Sequence, residues 1–496
     1  MAAQWDLVIR NGSVFDGSGA APVRADIAIV GDRISAVGTV AGAGASEIDA
    51  RGHAVAPGFI DVHTHDDFAV FATPEMDFKV MQGVTTDVVG NCGLGAAPFQ
   101  ISQLMFGAMH HGSRIPQWQG YAGYLEAVDR DPPSLNVAAL VGHGTVRLAA
   151  MGNEKRHATA SEIDSMRAIV AEGIAAGAVG LSTGLIYEPG RYSATEEIIA
   201  LAREMRGTTA LYASHMRNEA DGLLDSVRET IRIGEEAGVA VQISHHKASG
   251  QENWGRVRES LGLIEAARAR GIDVTADQYP YTAGSTELGA VIQNGALDEG
   301  PARGGLGKVP PHKLRFASAP KHREWEGQTL AAFCERWNLS SRAAAERILA
   351  QEPGAFVIVE TMDEADVRTV LRHPTTMIGS DGVPAGSKPH PRLYATFARV
   401  LGRYARDEGV LTLADAVHRM TGMPARKFHL TERGFVREGF FADLVIFDPA
   451  KIADTATYED PRRYPDGLSG VIVNGTVVAR DGHHTGARPG RALRRG

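Results

Sequence analysis

Apolar and polar positions along this chain follow one rhythm at its two ends and another in its middle. At the N-terminal end, Leu7–Ile9 and Ser13-Val14 flank Asn11-Gly12; at the C-terminal end, Val471–Val473 and Thr476–Val478 flank Asn474-Gly475. A type I′ turn needs positive φ at both central residues, which Asn-Gly accepts, so each site is expected to be a tight hairpin. Further strands are expected over Asp26–Val30, Arg33–Val37 and Ala442–Phe447. The ends therefore predict a small composite β-sandwich domain, residues 1–55 plus 434–490, which the chain leaves and re-enters.

Between the ends, strand and helix patterns alternate. Capping-box spacings at Thr159…Glu162, Ser193…Glu196 and Thr361…Glu364 each precede an apolar periodic segment. Gly238 and Gly271 stop two helices and are followed at once by β-runs. Eight such runs occur: Val55–Val62, Thr85–Val89, Val137–Val141, Ala178–Leu181, Ala210–Ala213, Val239–Ser244, Ile272–Ala276 and Thr376–Ile378. Eight strands with interposed helices predict an α/β fold of the (β/α)₈ TIM-like barrel class over residues 56–433. Residues 283–354 are too long for a connecting loop and contain helical pieces such as Leu330–Trp337, so they are expected to form an inserted lid over the barrel mouth.

The 496 residues carry 51 basic and 59 acidic side chains, a net charge of −8 spread along the chain, which supplies no nucleic-acid footprint. No apolar stretch is long enough to span a membrane, and MAAQWDLVIRNG has no signal-peptide core, so a cytoplasmic location without membrane or nucleic-acid partners is expected. Two cysteines, Cys92 and Cys334, exclude a disulfide framework; Cys334 reads as a packing residue.

The chemistry gathers at the C-terminal ends of the expected barrel strands, where such barrels place catalytic groups. The first strand runs into Asp61-Val62-His63-Thr64-His65, and period-two geometry sets His63 and His65 on one face. The second ends in Gly90-Asn91-Cys92, the fifth in Ser214-His215, the sixth in Ser244-His245-His246-Lys247 and the last in Gly379-Ser380-Asp381. Each residue alone is weak evidence. Six ligand-type side chains at the ends of five strands form the N, S and O set that zinc prefers. His246 should face the helices, His143 has no ligand assignment, and the pairs His110-His111 and His483-His484 are expected on the surface.

These residues bring a family into view. PGFIDVHTHDD (57–67), GVTTDVVGNCG (83–93), SHMRNE (214–219), QISHHK (242–247), DQYPYTAGST (277–286), GSDG (379–382), HPRLYATF (390–397), MTGMPARKF (420–428) and GFFADLVIFDP (439–449) resemble the N-acyl-D-amino-acid deacylases of the amidohydrolase superfamily. Many binuclear members of the superfamily use a carbamylated lysine on the fourth strand; here that strand reads Gly180-Leu181-Ser182-Thr183-Gly184, and Cys92 matches the cysteine the deacylases use in its place. The resemblance implies Cys92, His215 and His245 as ligands of one tight Zn²⁺, and His63, His65, Cys92 and Asp381 as a second, weaker site. It implies Asp381 as general base and Arg392, Lys247, Tyr187, Tyr279 and Ser285 as contacts for a small-molecule N-acyl amino acid, with Tyr281 competing with Tyr279 on strand parity. Ile186 and Met362 favour an apolar substrate side chain. The alternatives are a cyclic amidase or deaminase of the same superfamily, and a non-catalytic scaffold on this fold.

Overall fold

The computed structural model describes residues 4–106, 115–300 and 304–495, and the pair His110-His111 lies outside them. Eight parallel strands build the central barrel: β1 (Phe59–Asp61), β2 (Val84–Val89), β3 (Asn136–Gly142), β4 (Gly180–Gly184), β5 (Leu211–His215), β6 (Val241–Ile243), β7 (Val274–Gln278) and β8 (Thr376–Ile378). Each pairs with its successor along the chain. The seam between β8 and β1 closes just beyond the strand ends. There Asp381 N–H donates to His63 C=O at 2.7 Å and His65 N–H to Gly382 C=O at 3.0 Å.

Alternate residues of the strands fill the interior. Ile60, Val88, Leu140, Leu211, Ala213 and Met377 meet there, and Phe428 and Leu430 join them. The opposite strand faces, Val141, Leu181, Tyr212, Ile243 and Val274, pack on helical residues such as Val170, Ile174, Val227 and Ile264. Full burial of one such aliphatic side chain is worth roughly 1.5–3 kcal/mol.

Two of the expected caps lie elsewhere. The helix Ala160–Ala176 begins with the expected box, Thr159 and Glu162 bonding reciprocally, and stops at left-handed Gly177. At Thr195–Ala202 the cap position is Ala194, because the Ser193 hydroxyl donates instead to Gly190 C=O at 2.5 Å. At Glu364–Arg372, Asp363 rather than Thr361 caps the helix by accepting from Ala365 N–H.

The chain ends share one nine-stranded sheet, in which the strand Leu444–Phe447 joins C-terminal strands to Ala54–Pro57 and so to Trp5–Val14. Asn474-Gly475 is the expected hairpin, with φ of 46° and 77° between Leu468–Val473 and Thr476–Arg480. Asn11-Gly12 is not. Trp5–Val14 runs straight through as one strand against Val23–Val30, and Asn11, at φ 61°, sits in a bulge where its N–H donates to Asp26 Oδ1 at 2.8 Å. The expected first barrel strand, Val55–Val62, is split between the two sheets. Gly58 marks the break, and a Cβ there would stand 2.2 Å from Thr85.

The inserted segment carries its own three-stranded sheet, Ala283–Glu287, Leu314–Ser318 and Phe356–Glu360, with helices Leu330–Trp337 and Ser341–Gln351. Its apolar core includes Leu288, Phe316, Phe333 and Ile348, and Ile186 from the barrel packs into it. Among the described residues no helix is long and apolar enough to cross a membrane.

Candidate metal centre

The barrel strands deliver six ligand-type side chains to one buried point. His63, His65, Cys92, His215, His245 and Asp381 are each 7 % exposed or less. Three overlapping sets have donor atoms within 4.8 Å of one another: His63, His65 and Cys92; Cys92, His215 and His245; His63, His245 and Asp381. Cys92 Sγ lies 3.3 Å from His63 Nε2 and 3.5 Å from His245 Nε2. His245 Nε2 lies 2.9 Å from His215 Nδ1, and His65 Nε2 is 3.2 Å from Asp381 Oδ1.

Backbone geometry aims these groups. Cys92, His245 and Asp381 all have positive φ, 55°, 35° and 50°, a region that costs a side chain about 1 kcal/mol or more and persists where surrounding structure imposes it. Each follows its strand end within three residues, so a left-handed turn directs the side chain to the barrel axis. At Gly379 a Cβ would stand 2.6 Å from the His63 Cβ, so only glycine lets β8 approach β1 this closely.

The electrostatics suit a cation. Burial opposes ionisation of the Cys92 thiol, but His63 and His215 overcome it and hold the pKa well below the usual thiol value. Burial likewise opposes the Asp381 carboxylate, and Arg392, His65 and His63 hold it well below the usual carboxylate range. A thiolate, imidazole nitrogens and a carboxylate in one dry cluster are the donors a zinc ion takes, so the residues present fit a metal.

The expected substrate contacts surround this cluster to differing degrees. Arg392 is fully buried; its guanidinium lies 4.4 Å from the centre of the Tyr279 ring, and Nη2 is 2.9 Å from Asp381 Oδ2. Lys247 Nζ donates to Glu219 Oε1 at 2.6 Å. The Tyr187 ring packs edge-on to His215, with its hydroxyl 3.1 Å from that of Thr286. Tyr281 turns away, under Arg399 and against His390. Ser285 pairs across the inserted sheet with Ile358, which packs with Val383 and Ala385 beyond Asp381, and among the described residues its hydroxyl has no hydrogen-bond partner. Met362 Sδ accepts from the Tyr279 hydroxyl at 3.6 Å. His246 Nε2 meets Ser260 Oγ at 2.8 Å on the helical side. His143 sits 2.9 Å from Glu197 in a buried cluster with Arg147, and His484 lies 3.0 Å from Ser134 Oγ.

Three supporting residues are not among the expected site residues, although Asp277 and Glu219 stand in the matching segments 277–286 and 214–219. Asp277, at the end of β7, accepts from His245 N–H at 2.8 Å and from Gln242 Nε2 at 2.7 Å, and stands 3.3 Å from His63 Nδ1. Lys79, fully buried, donates to Asp61 Oδ2 at 2.5 Å, Thr64 Oγ1 at 2.9 Å and Ser380 Oγ at 2.8 Å, clipping the barrel seam. Glu219 stands behind His215 and His245. For Lys79 the one hint in the sequence is a basic residue set within an otherwise largely apolar run, Phe78-Lys79-Val80-Met81.

Comparison with known proteins identifies the family. The model of the amidohydrolase family matches residues 46–295 and 328–479. D-aminoacylase of Alcaligenes xylosoxydans xylosoxydans is 42 % identical over 505 residues, covering 99 % of this chain and 98 % of its own. N-acyl-D-glutamate deacylase of the same organism is 40 % identical over 499 residues, covering 100 % and 98 %. The crystal structure of N-acyl-D-glutamate deacylase from Bordetella bronchiseptica, complexed with zinc and a phosphonate mimic of the tetrahedral intermediate, superposes with a TM-score of 0.90 at 40 % identity, covering 99 % of each chain. The chain belongs to the amidohydrolase family, within its N-acyl-D-amino-acid deacylases, and is an enzyme of that metal-dependent class.

Proposed function

We propose that this enzyme hydrolyses the amide bond of N-acyl-D-amino acids, releasing a carboxylate and a free D-amino acid. The observation that carries the reading is the meeting of Cys92, His215 and His245 with Asp381 and Arg392 at one barrel mouth. Cys92, His215 and His245 would hold one zinc tightly, and His63, His65 and Asp381 with Cys92 would form a second, weaker site. A bound zinc supplies Lewis acidity, lowering the pKa of water to about 7 and polarising a carbonyl.

Asp381 accepts the proton of the attacking water at a carboxylate oxygen and passes it to the leaving amine nitrogen. Arg392 offers a fork that pairs bidentately with the substrate α-carboxylate, which a lysine ammonium cannot do. Tyr279 holds that guanidinium against its ring face, while Tyr187, Lys247 and Ser285 line the surrounding wall. Met362, whose Sδ meets the Tyr279 hydroxyl, and Ile186, which precedes Tyr187 and packs into the core of the inserted segment, favour an apolar side chain.

Handedness follows from three fixed points: carboxylate on Arg392, scissile carbonyl at the metal site, side chain in the remaining pocket. Exchanging two substituents drives the side chain into a wall. The test is kcat/KM for matched N-acetyl D- and L-amino acids. N-acetyl-D-methionine or N-acetyl-D-leucine should be turned over far faster than its enantiomer and faster than N-acetyl-D-glutamate. Equal rates for both hands would contradict the reading, and hydrolysis of cyclic ureides alone would favour a cyclic amidase.

A further inference from the structure

His215 and His245 each turn one ring nitrogen into the cluster and the other away from it. The two outward nitrogens face a single carboxylate. Glu219 Oε1 lies 3.1 Å from His245 Nδ1, within hydrogen-bond reach, whereas Oε2 lies 3.8 Å from His215 Nε2, beyond it. Glu219 is 2 % exposed, so no bulk water competes for it. Its backbone is pinned on both sides. The N–H donates to Gly305 C=O of the inserted segment at 2.9 Å, and the C=O accepts from Ser249 N–H at 2.7 Å.

An imidazole binds a metal through its unprotonated nitrogen, so the other nitrogen carries the proton and needs an acceptor. At His245 two groups compete to set that tautomer. Lys247 Nζ stands 2.8 Å from Nδ1, and an ammonium can only donate. A proton donated there would leave His245 protonated on Nε2, the nitrogen that faces Cys92 and His215. Glu219 works the other way: at 3.1 Å it offers an acceptor for a proton on Nδ1, and it draws the same ammonium onto itself at 2.6 Å.

We propose that Glu219 is a positioning residue for the metal centre: its buried carboxylate sets the tautomer and ring orientation of His245 and keeps Lys247 from imposing the opposite state. The inference rests on Cys92, His215 and His245 being ligands. Lys247 in turn neutralises Glu219, so the pair enters the barrel without net charge.

The test is zinc retention against a graded competing chelator, with the thiolate-to-metal absorption of the cobalt-substituted protein as second readout. Loss of an outer-shell partner of this kind typically weakens metal binding about 10- to 100-fold. Glu219→Gln, nearly isosteric, should show that weakening and an altered cobalt spectrum. Because this variant leaves Lys247 buried without a counter-charge, the double variant Glu219→Gln/Lys247→Met is measured beside it; it restores charge balance and should fold, yet should still bind zinc 10- to 100-fold more weakly. Wild-type affinity in the double variant would overturn the proposal, since the single variant's defect would then be only an unpaired ammonium. Cys92→Ala separates the two ideas. Zinc retained there would overturn the ligand assignment itself, whereas zinc lost there but held normally by the double variant would overturn only the role of Glu219.

Discussion

Arg392 Nη2 stands 2.9 Å from Asp381 Oδ2, so the residue expected to read the substrate carboxylate and the residue expected to move the proton form one buried ion pair. Eleven positions separate them along the chain. The same guanidinium lies over the Tyr279 ring, which leaves part of its fork free to meet a second carboxylate. Recognition and proton transfer are thereby adjacent in space, and variants must tell them apart.

Truncating one partner of a buried charge pair typically costs about 2–5 kcal/mol, so Arg392→Ala should lower kcat/KM for N-acetyl-D-amino acids by roughly 10²-fold or more. Arg392→Lys should recover part of the loss, because it keeps the charge without the fork. The control is a substrate with a neutral amide in place of the carboxylate. Wild type should turn it over poorly, and Arg392→Ala should be no worse on it; equal impairment on both substrates would assign Arg392 to holding Asp381 alone.

Asp381→Asn keeps shape and removes the proton acceptor. Its kcat should fall by about 10²–10⁴-fold, the usual worth of a general acid–base group, while zinc on Cys92, His215 and His245 stays near the wild-type amount. Metal analysis of the inactive variant is the check, and loss of that zinc would make Asp381 primarily a ligand.

Lys79 clips the seam through Asp61, Thr64 and Ser380, with Asp66 Oδ2 a further 3.2 Å away. Lys79→Met strands buried Asp61 and Asp66 without their cation, a change that typically costs about 3–5 kcal/mol. A clear fall in the urea midpoint should result; an unchanged midpoint would show that the seam holds without the clip.

The barrel was legible because glycine stops and β-runs alternate along the chain, and the metal cluster because a period of two puts His63 and His65 on one face. What misled the reading depends on partners far off in sequence. Asn11-Gly12 looks like a turn, but Val23–Val30 pairs along the whole strand and absorbs the extra residue as a bulge. Val55–Val62 looks like one strand, but Ala54–Pro57 pairs with Leu444–Phe447 and Phe59–Asp61 with Val84–Val89, and Gly58 between them packs where Thr85 leaves no room for a Cβ. The role of Lys79 was hidden for the same reason: it acquires meaning only through Asp61, 18 residues away, and Ser380, 301 away.

Lys427 gives a pH signature remote from the site. Burial lowers its pKa from 10.5 to about 8, with Asp273 at 3.0 Å opposing the shift. The folded state thus releases this proton at lower pH than the unfolded state, so the unfolded chain binds more protons between about pH 8 and 10.5, and this group's contribution to stability rises across that window. The rise amounts to at most about 3 kcal/mol. Urea midpoints of wild type and Lys427→Met from pH 7.5 to 10.5 check it: the difference between them should shrink as pH rises, and a constant difference would contradict the shift.

The central claim is that Cys92 holds the working metal. Zinc content per chain and kcat/KM, measured together on wild type and Cys92→Ala at matched fold by circular dichroism, test it most directly. The account predicts a folded Cys92→Ala protein that has lost both its tightly bound zinc and its hydrolysis of N-acetyl-D-amino acids. A variant that keeps zinc and activity at wild-type levels would contradict it.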